Sequence, residues 1–143
     1  MSRIAKRYGF VGRVEYRHVF SNSGGAQFGL GTSADGDLLV VYAEAFLRDG
    51  DPADFTLSAI IAHERGHQIA CRNDRLQSLL AGRDSPVAEE ILASLVGSFI
   101  VQDEADSRAL ILKALDDMVQ CGLALDDALE LVTDLRALLK DVI

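Results

Sequence analysis

The apolar positions of this chain change period near residue 50, and the change divides it in two. Before it, RVEYRHVF (13–20) and AQFGLGTS (26–33) carry β-branched and aromatic residues, with the turn-forming SNSGG between them. A second turn, ADGD (34–37), leads into DLLVVYAEAF (37–46), the most strand-like run of the chain. The three runs predict a small, mostly antiparallel sheet. After residue 50 the apolar residues recur at helical spacing. Asp51 reads as an N-cap with Pro52 at the first helical position and Asp54 in the first turn, and this helix is expected to run to about Arg72. The polar link RNDRLQSLLAGRD is expected to hold a short helical turn. Ser85-Pro86 opens a long helical stretch with apolar residues at 91, 92, 95, 96, 99 and 100, which Gly97 or the polar QDEADSR should bend and Gly122 should end. A last helix, from about Leu125 to Asp141, should bury Ala128, Leu131, Val132, Leu135 and Leu138 or Leu139. The fold class that follows is α+β: one domain over residues 1–143, strand-rich over 1–50 and helical over 51–143.

Composition narrows the function classes. A length of 143 residues with 49% hydrophobic positions suffices for a real core. The net charge of −8 repels phosphate backbones, so no nucleic-acid partner is expected. The N-terminal segment is the exception, where Arg3, Lys6, Arg7, Arg13 and Arg17 face only Glu15; it reads as a solvated basic arm. Cys71 and Cys121 have no metal-finger spacing and read as reduced thiols, which points to the cytoplasm. No signal-peptide h-region follows the first basic residues, and no apolar run reaches membrane-spanning length, so no membrane partner is expected.

The chemistry lies in IIAHERGHQIAC (60–71). His63 and His67 stand four apart, which on a helix places them on one face about 5–6 Å apart. Two imidazoles so placed can take adjacent corners of a tetrahedral zinc site. Glu64 lies about 100° round the helix from His63, displaced from the ligand position and suited to accept a proton from water at the metal. This is the HExxH arrangement. Without a metal, the same residues are two core histidines and an ion-paired glutamate. Cys71 continues the stripe and reads as a small core residue; His18 and Tyr42 fall on predicted strands, as a surface histidine and a packed tyrosine or as oxyanion donors.

HERGH resembles the active-site helix of the zincin metallopeptidases, many of which carry a glycine where Gly66 stands. The downstream AEEILASLVGSFIV (88–101) is similar to the second gluzincin motif, Glu-x-x-Ala followed by a small or polar residue. The resemblance extends to small intracellular ImmA/IrrE-type metallopeptidase domains. It implies a minimal zincin fold with the HExxH helix packed on the sheet beside two or three C-terminal helices. It also implies zinc held by His63, His67 and Glu90, with Glu89 or Asp106 as rival third ligand, Ala93 allowing close helix approach and Ser94 the polar residue after it. An alternative register at QDEADSRAL puts Gln102 at the ligand position and Asp106 where a carboxylate orients a histidine. Arg65 stands where these families are usually apolar, so that helix face is expected to be less buried. The DLLVVYAEAF strand would be the sheet edge on which an extended peptide docks.

The letters DEAD at 103–106 lack any phosphate-binding loop, and GLGTSA (29–34) is followed by a turn and strand where a dinucleotide site needs a helix. The expected function is zinc-dependent peptide hydrolysis with Glu64 as general base and a peptide or protein as substrate. The alternative is a catalytically inactive zincin-like binding or regulatory module.

Overall fold

A computed structural model of the chain describes residues 1–20, 25–46, 55–79 and 85–142. Three strands, β1 (Arg13–Arg17), β2 (Ala26–Gly29) and β3 (Leu38–Tyr42), form one sheet in the order β1-β3-β2. β2 and β3 pair antiparallel, from Ala26 opposite Val41 to Gly29 opposite Leu38. β1 and β3 pair parallel, from Arg13 opposite Leu38 to Arg17 opposite Tyr42. The sheet is therefore mixed. Neighbouring parallel strands need a crossover between them, and here the β2 hairpin arm supplies it. β3 is thus the central strand, with Leu39 and Val41 fully buried, and β2 is an edge. The peptide-docking edge expected on DLLVVYAEAF cannot be β3, since both its sides are paired. After Tyr42 the run turns into a short 3₁₀ segment, Ala43–Phe46.

The basic N-terminal segment is not a free arm. Residues Ser2–Arg7 form a helix, α1, that buries Ala5 and leaves Arg3, Lys6 and Arg7 exposed. It is fastened to the long helix α2 (Leu57–Cys71). The Tyr8 hydroxyl bonds Ser58 Oγ, and Arg65 Nε donates to the Tyr8 carbonyl at 3.0 Å. This contact explains why Arg65 is tolerated on α2: its half-buried side chain anchors the chain entering β1.

α2 begins later than the sequence suggests. Thr56 is the N-cap, its hydroxyl accepting from Ala59 N at 3.1 Å, and Asp51 and Pro52 lie outside the described residues. A short helix α3 (Asp74–Leu79) fills the polar link. The long stretch that follows is two helices, α4 (Ser85–Ile100) and α5 (Glu104–Gln120). The break falls at residues 101–103, where the Asp103 carboxylate caps α5 by accepting from Ala105 N and Asp106 N. α4 runs unbroken through Gly97. Gly122, at φ +97°, does end α5. Leu123 N donates to Met118 O and Gly122 N to Val119 O, the paired bonds of a Schellman cap. α6 (Leu125–Val142) buries Ala128, Val132, Leu135 and Leu139, with Leu131 and Leu138 partly covered. None of the described helices is long and apolar enough to cross a membrane.

Two apolar clusters result. One joins the sheet to α1 and α2 through Leu39, Val41, Ala59, Ile61 and Ala62. The other joins α4, α5 and α6 through Leu92, Leu95, Val96, Ala114, Met118 and Leu135. Between sheet and α2 lies a polar lock around Asp37, which is fully buried. Its carboxylate accepts from Gly31 N, Gln68 Nε2 and the Arg72 guanidinium, at 2.6–3.1 Å. Burial alone would raise the Asp37 carboxyl, but these hydrogen bonds, Arg72 foremost, hold it down to about 2. A carboxyl depressed in the folded state stabilises the fold above its ordinary range and loses that stabilisation as pH falls through the folded value. Stability should therefore decline as pH drops from about 4 towards 2. Asp37→Asn should flatten that part of the pH–stability curve and cost about 1–3 kcal/mol near neutrality, read from urea unfolding.

Candidate metal centre

α2 supplies the first two groups of the site. One helical turn separates His63 from His67, and their rings stand 4.8 Å apart between centroids, nearly perpendicular at 88°. Both are half-buried. The third group comes from α4, and glycines make the approach possible. A Cβ added at Gly66 would sit 2.2 Å from the carbonyl oxygen of Ala93. One added at Gly97 would sit 2.9 Å from that of Ala62. The two helices thus cross in contact at the level of their backbones, each with a glycine in the seam.

That seam carries Glu90 to the histidines. Its Oε2 lies 3.0 Å from His63 Nε2 and its Oε1 3.0 Å from His67 Nε2. Hydrogen bonds from both rings hold the Glu90 carboxyl far below the usual range. At His67, burial works against the proton, while the hydrogen bond to Glu90 and the nearby carboxylates Glu64, Glu90 and Glu89 raise its affinity for one. On its far side, His63 Nδ1 lies 3.1 Å from Ser94 Oγ. Phe28, from β2, stacks parallel to the His67 ring at 6.4 Å and 3°.

Glu64 is the unusual member. It is only 7% exposed, lines the same cleft, and has no hydrogen-bond partner among the described residues. Burial pushes its carboxyl above the ordinary range, against the pull of the two imidazoles. No buried side-chain oxygen among the described residues lacks a hydrogen-bond partner, so the unbonded Glu64 oxygens open on the cleft, beside the two imidazoles.

His63, His67 and Glu90 form a group whose ligand atoms lie within 4.8 Å of one another. Zinc bonds of about 2.0–2.2 Å at tetrahedral angles set neighbouring ligand atoms about 3.4 Å apart. The 3.0 Å His–Glu separations are close to that, and two imidazoles with one carboxylate are the donor set of a zinc site that keeps a fourth position open. The two 3.0 Å contacts run to different Glu90 oxygens, and with one atom from each residue within 4.8 Å of the others the group could hold such an ion.

The other candidates fall elsewhere. Glu89 lines the cleft but is not in the three-residue group. Asp106 accepts a hydrogen bond from the Thr56 hydroxyl at 2.8 Å, tying α5 to the start of α2 and orienting no histidine. Gln102 is exposed at the break between α4 and α5. Cys71 lines the cleft with its thiol pointed at the Gln68 carbonyl and pushed up by burial. His18 bonds Tyr16 on the surface, and the buried Tyr42 donates to Gln27 Oε1. Neither aromatic lines the cleft. Sequence reasoning missed the bond from Ser94 to His63; its signal was the four-residue spacing from Glu90, which puts both on one face of α4.

The cleft has a volume of about 900 Å³. Edge strand β2 forms one wall, from Ala26 to Leu30, and Phe55, Ala59 and Ile60 line its apolar end. Compared with protein-family models, curated proteins and solved structures, the chain matched none.

Proposed function

We propose that this protein is a zinc-dependent peptide hydrolase, of the kind its HERGH and Glu-x-x-Ala segments resemble. The observation that carries the reading is Glu64: a largely buried side chain whose carboxylate has no hydrogen bond among the described residues and opens on the same cleft as a His-His-Glu group. His63, His67 and Glu90 would hold the ion, which when bound acidifies water and polarises a carbonyl. Glu64 accepts the proton of the attacking water and hands it to the leaving amine, and its raised proton affinity suits both halves of that task. The outer edge of β2, unpaired among the described residues, offers main-chain hydrogen bonds to an extended peptide, and the apolar residues of the cleft take a side chain.

One observation favours the rival reading, a binding or regulatory module. The described cleft residues include no tyrosine and no third histidine to donate to an oxyanion. Zinc titration and cleavage separate the two. The metal-stripped protein should take up about one zinc per chain, as a single three-residue ligand set implies. His63→Ala should abolish uptake, measured by competition with a chromophoric chelator. Chelation should lower the melting temperature only modestly, because the two apolar clusters contain none of the three ligand residues. Stoichiometric zinc with cleavage of a mixed peptide library supports the hydrolase. Zinc without cleavage supports the module, and absence of binding removes both.

A further inference from the structure

We propose that Glu89 is the specificity-determining residue of the cleft, its carboxylate receiving a cationic side chain, lysine or arginine, of an extended peptide. Given the cleft as a peptide site, the reading on which this rests, Glu89 sets the class of peptide it takes, in the hydrolase and in the binding module alike. Besides the two histidines, the charged residues lining the cleft are Arg17, Lys113, Glu64, Glu89 and Glu90. Four of the five are engaged. Lys113 Nζ donates to both Asp117 carboxylate oxygens, at 2.9 and 3.0 Å, and Arg17 lies 3.4 Å from Glu15. Glu90 joins the two imidazoles, and Glu64 is buried beside them. Glu89 alone among these is exposed with no hydrogen bond or ion pair among the described residues.

Its place along the cleft is set by α2. The Cys71 thiol, one helical turn beyond His67, is pushed up chiefly by burial and further by Asp37 and Glu89, so the Glu89 charge lies on that side of the His-His-Glu group. Arg72, which also acts on that thiol, is bonded to Asp37 and does not line the cleft. On the opposite side, one turn before His63, α2 presents Ala59 and Ile60. From Ala59 to Ala70 the helix rises about 16 Å, the length of about five extended residues. A peptide laid along this stretch turns alternate side chains to the wall, so few positions are read. A lysine or arginine on the Glu89 side rests its methylene stem on Ala70 and Cys71 while its head donates to the carboxylate. An acidic side chain there meets like charge, on a protein whose net charge is already −8.

The experiment passes a mixed peptide library, with zinc saturating, over immobilised protein and reads by mass spectrometry which peptides are retained and where any are cut. Wild type should enrich peptides carrying lysine or arginine over neutral ones by about 3- to 10-fold, between the strength of an exposed ion pair and that of a charge-assisted hydrogen bond. Glu89→Gln should remove the enrichment and keep the wild-type zinc affinity, because Glu89 stands outside the three-residue group. Glu89→Lys should turn the preference to acidic peptides. Both variants should fold, since the Glu89 side chain is exposed and bonds to nothing among the described residues. Asp134→Asn, an equal loss of charge at an exposed position of α6 outside the cleft, should leave the enrichment at its wild-type value. Retention without preference for a cation, a preference unchanged in Glu89→Gln, or one lowered equally by Asp134→Asn would overturn the inference and leave the peptide reading standing. Loss of zinc uptake in Glu89→Gln would make Glu89 a ligand and overturn it as well. A wild type that neither retains nor cuts any peptide overturns the peptide reading, and the inference with it.

Discussion

Glu64→Gln should keep the fold and bind zinc like wild type while peptide hydrolysis falls by a factor on the order of 10² to 10⁴, the usual contribution of a positioned general base. Glutamine fills the same volume but cannot take up a proton. Metal binding should survive because Glu64 stands outside the group formed by His63, His67 and Glu90. The fold should survive because no hydrogen bond is lost, and a desolvated carboxylate is replaced by a neutral amide. If Glu64 were an idle core residue, the substitution would shift stability and leave cleavage unchanged. Matched rates for the two proteins, with zinc saturating both, would therefore withdraw Glu64 from the reaction.

The second large effect is expected at Gly66. In an isolated helix, glycine to alanine is a gain of about 0.8–1.0 kcal/mol. At Gly66 the sign should reverse. The new methyl would stand 2.2 Å from the Ala93 carbonyl oxygen, and that oxygen belongs to backbone, which cannot rotate away. Helices α2 and α4 must part, and overpacking of this kind costs about 1–3 kcal/mol or more. Because Glu90 and the histidines sit on opposite sides of the same seam, Gly66→Ala should weaken zinc binding as well as lower the melting temperature. Gly97→Ala, whose nearest contact is 2.9 Å, should show both effects more mildly. A Gly66→Ala protein as stable as wild type, with unchanged zinc affinity, would mean that the helices do not meet as closely as described.

How much of this was legible in the sequence depends on the range of the interaction concerned. His63, Glu64 and His67 lie within one turn of one helix, so their spacing alone fixed their relative geometry. Glu90 was reachable only through the resemblance of AEEILAS (88–94) to the Glu-x-x-Ala motif, since nothing local ties one helix's carboxylate to another's histidines. The helix ends were less legible: Asp51-Pro52 is a sound local start signal, yet the Thr56 hydroxyl caps α2 and is itself held by Asp106 from another helix. The order of the strands left no local trace. β1, β2 and β3 have similar patterns, and nothing in RVEYRHVF announces that it pairs parallel with β3 and not with its neighbour in sequence. The lock of Asp37, Gln68 and Arg72 escaped for the same reason, since pairing between distant polar residues leaves no period along the chain.

The division of labour around the cleft has a consequence for how such a protein can diversify. All three ligands, the candidate base and the serine behind His63 belong to the α2–α4 pair, while the facing wall is the edge strand β2. Gln27, Gly29 and Leu30 are exposed on that wall. On the proposed reading, chemistry and, Glu89 apart, selectivity would lie on separate stretches of chain. Variation along the strand would then alter which molecules are admitted, while the helix pair would keep what is done to them. Phe28, stacked on His67, is the one strand side chain that belongs to both.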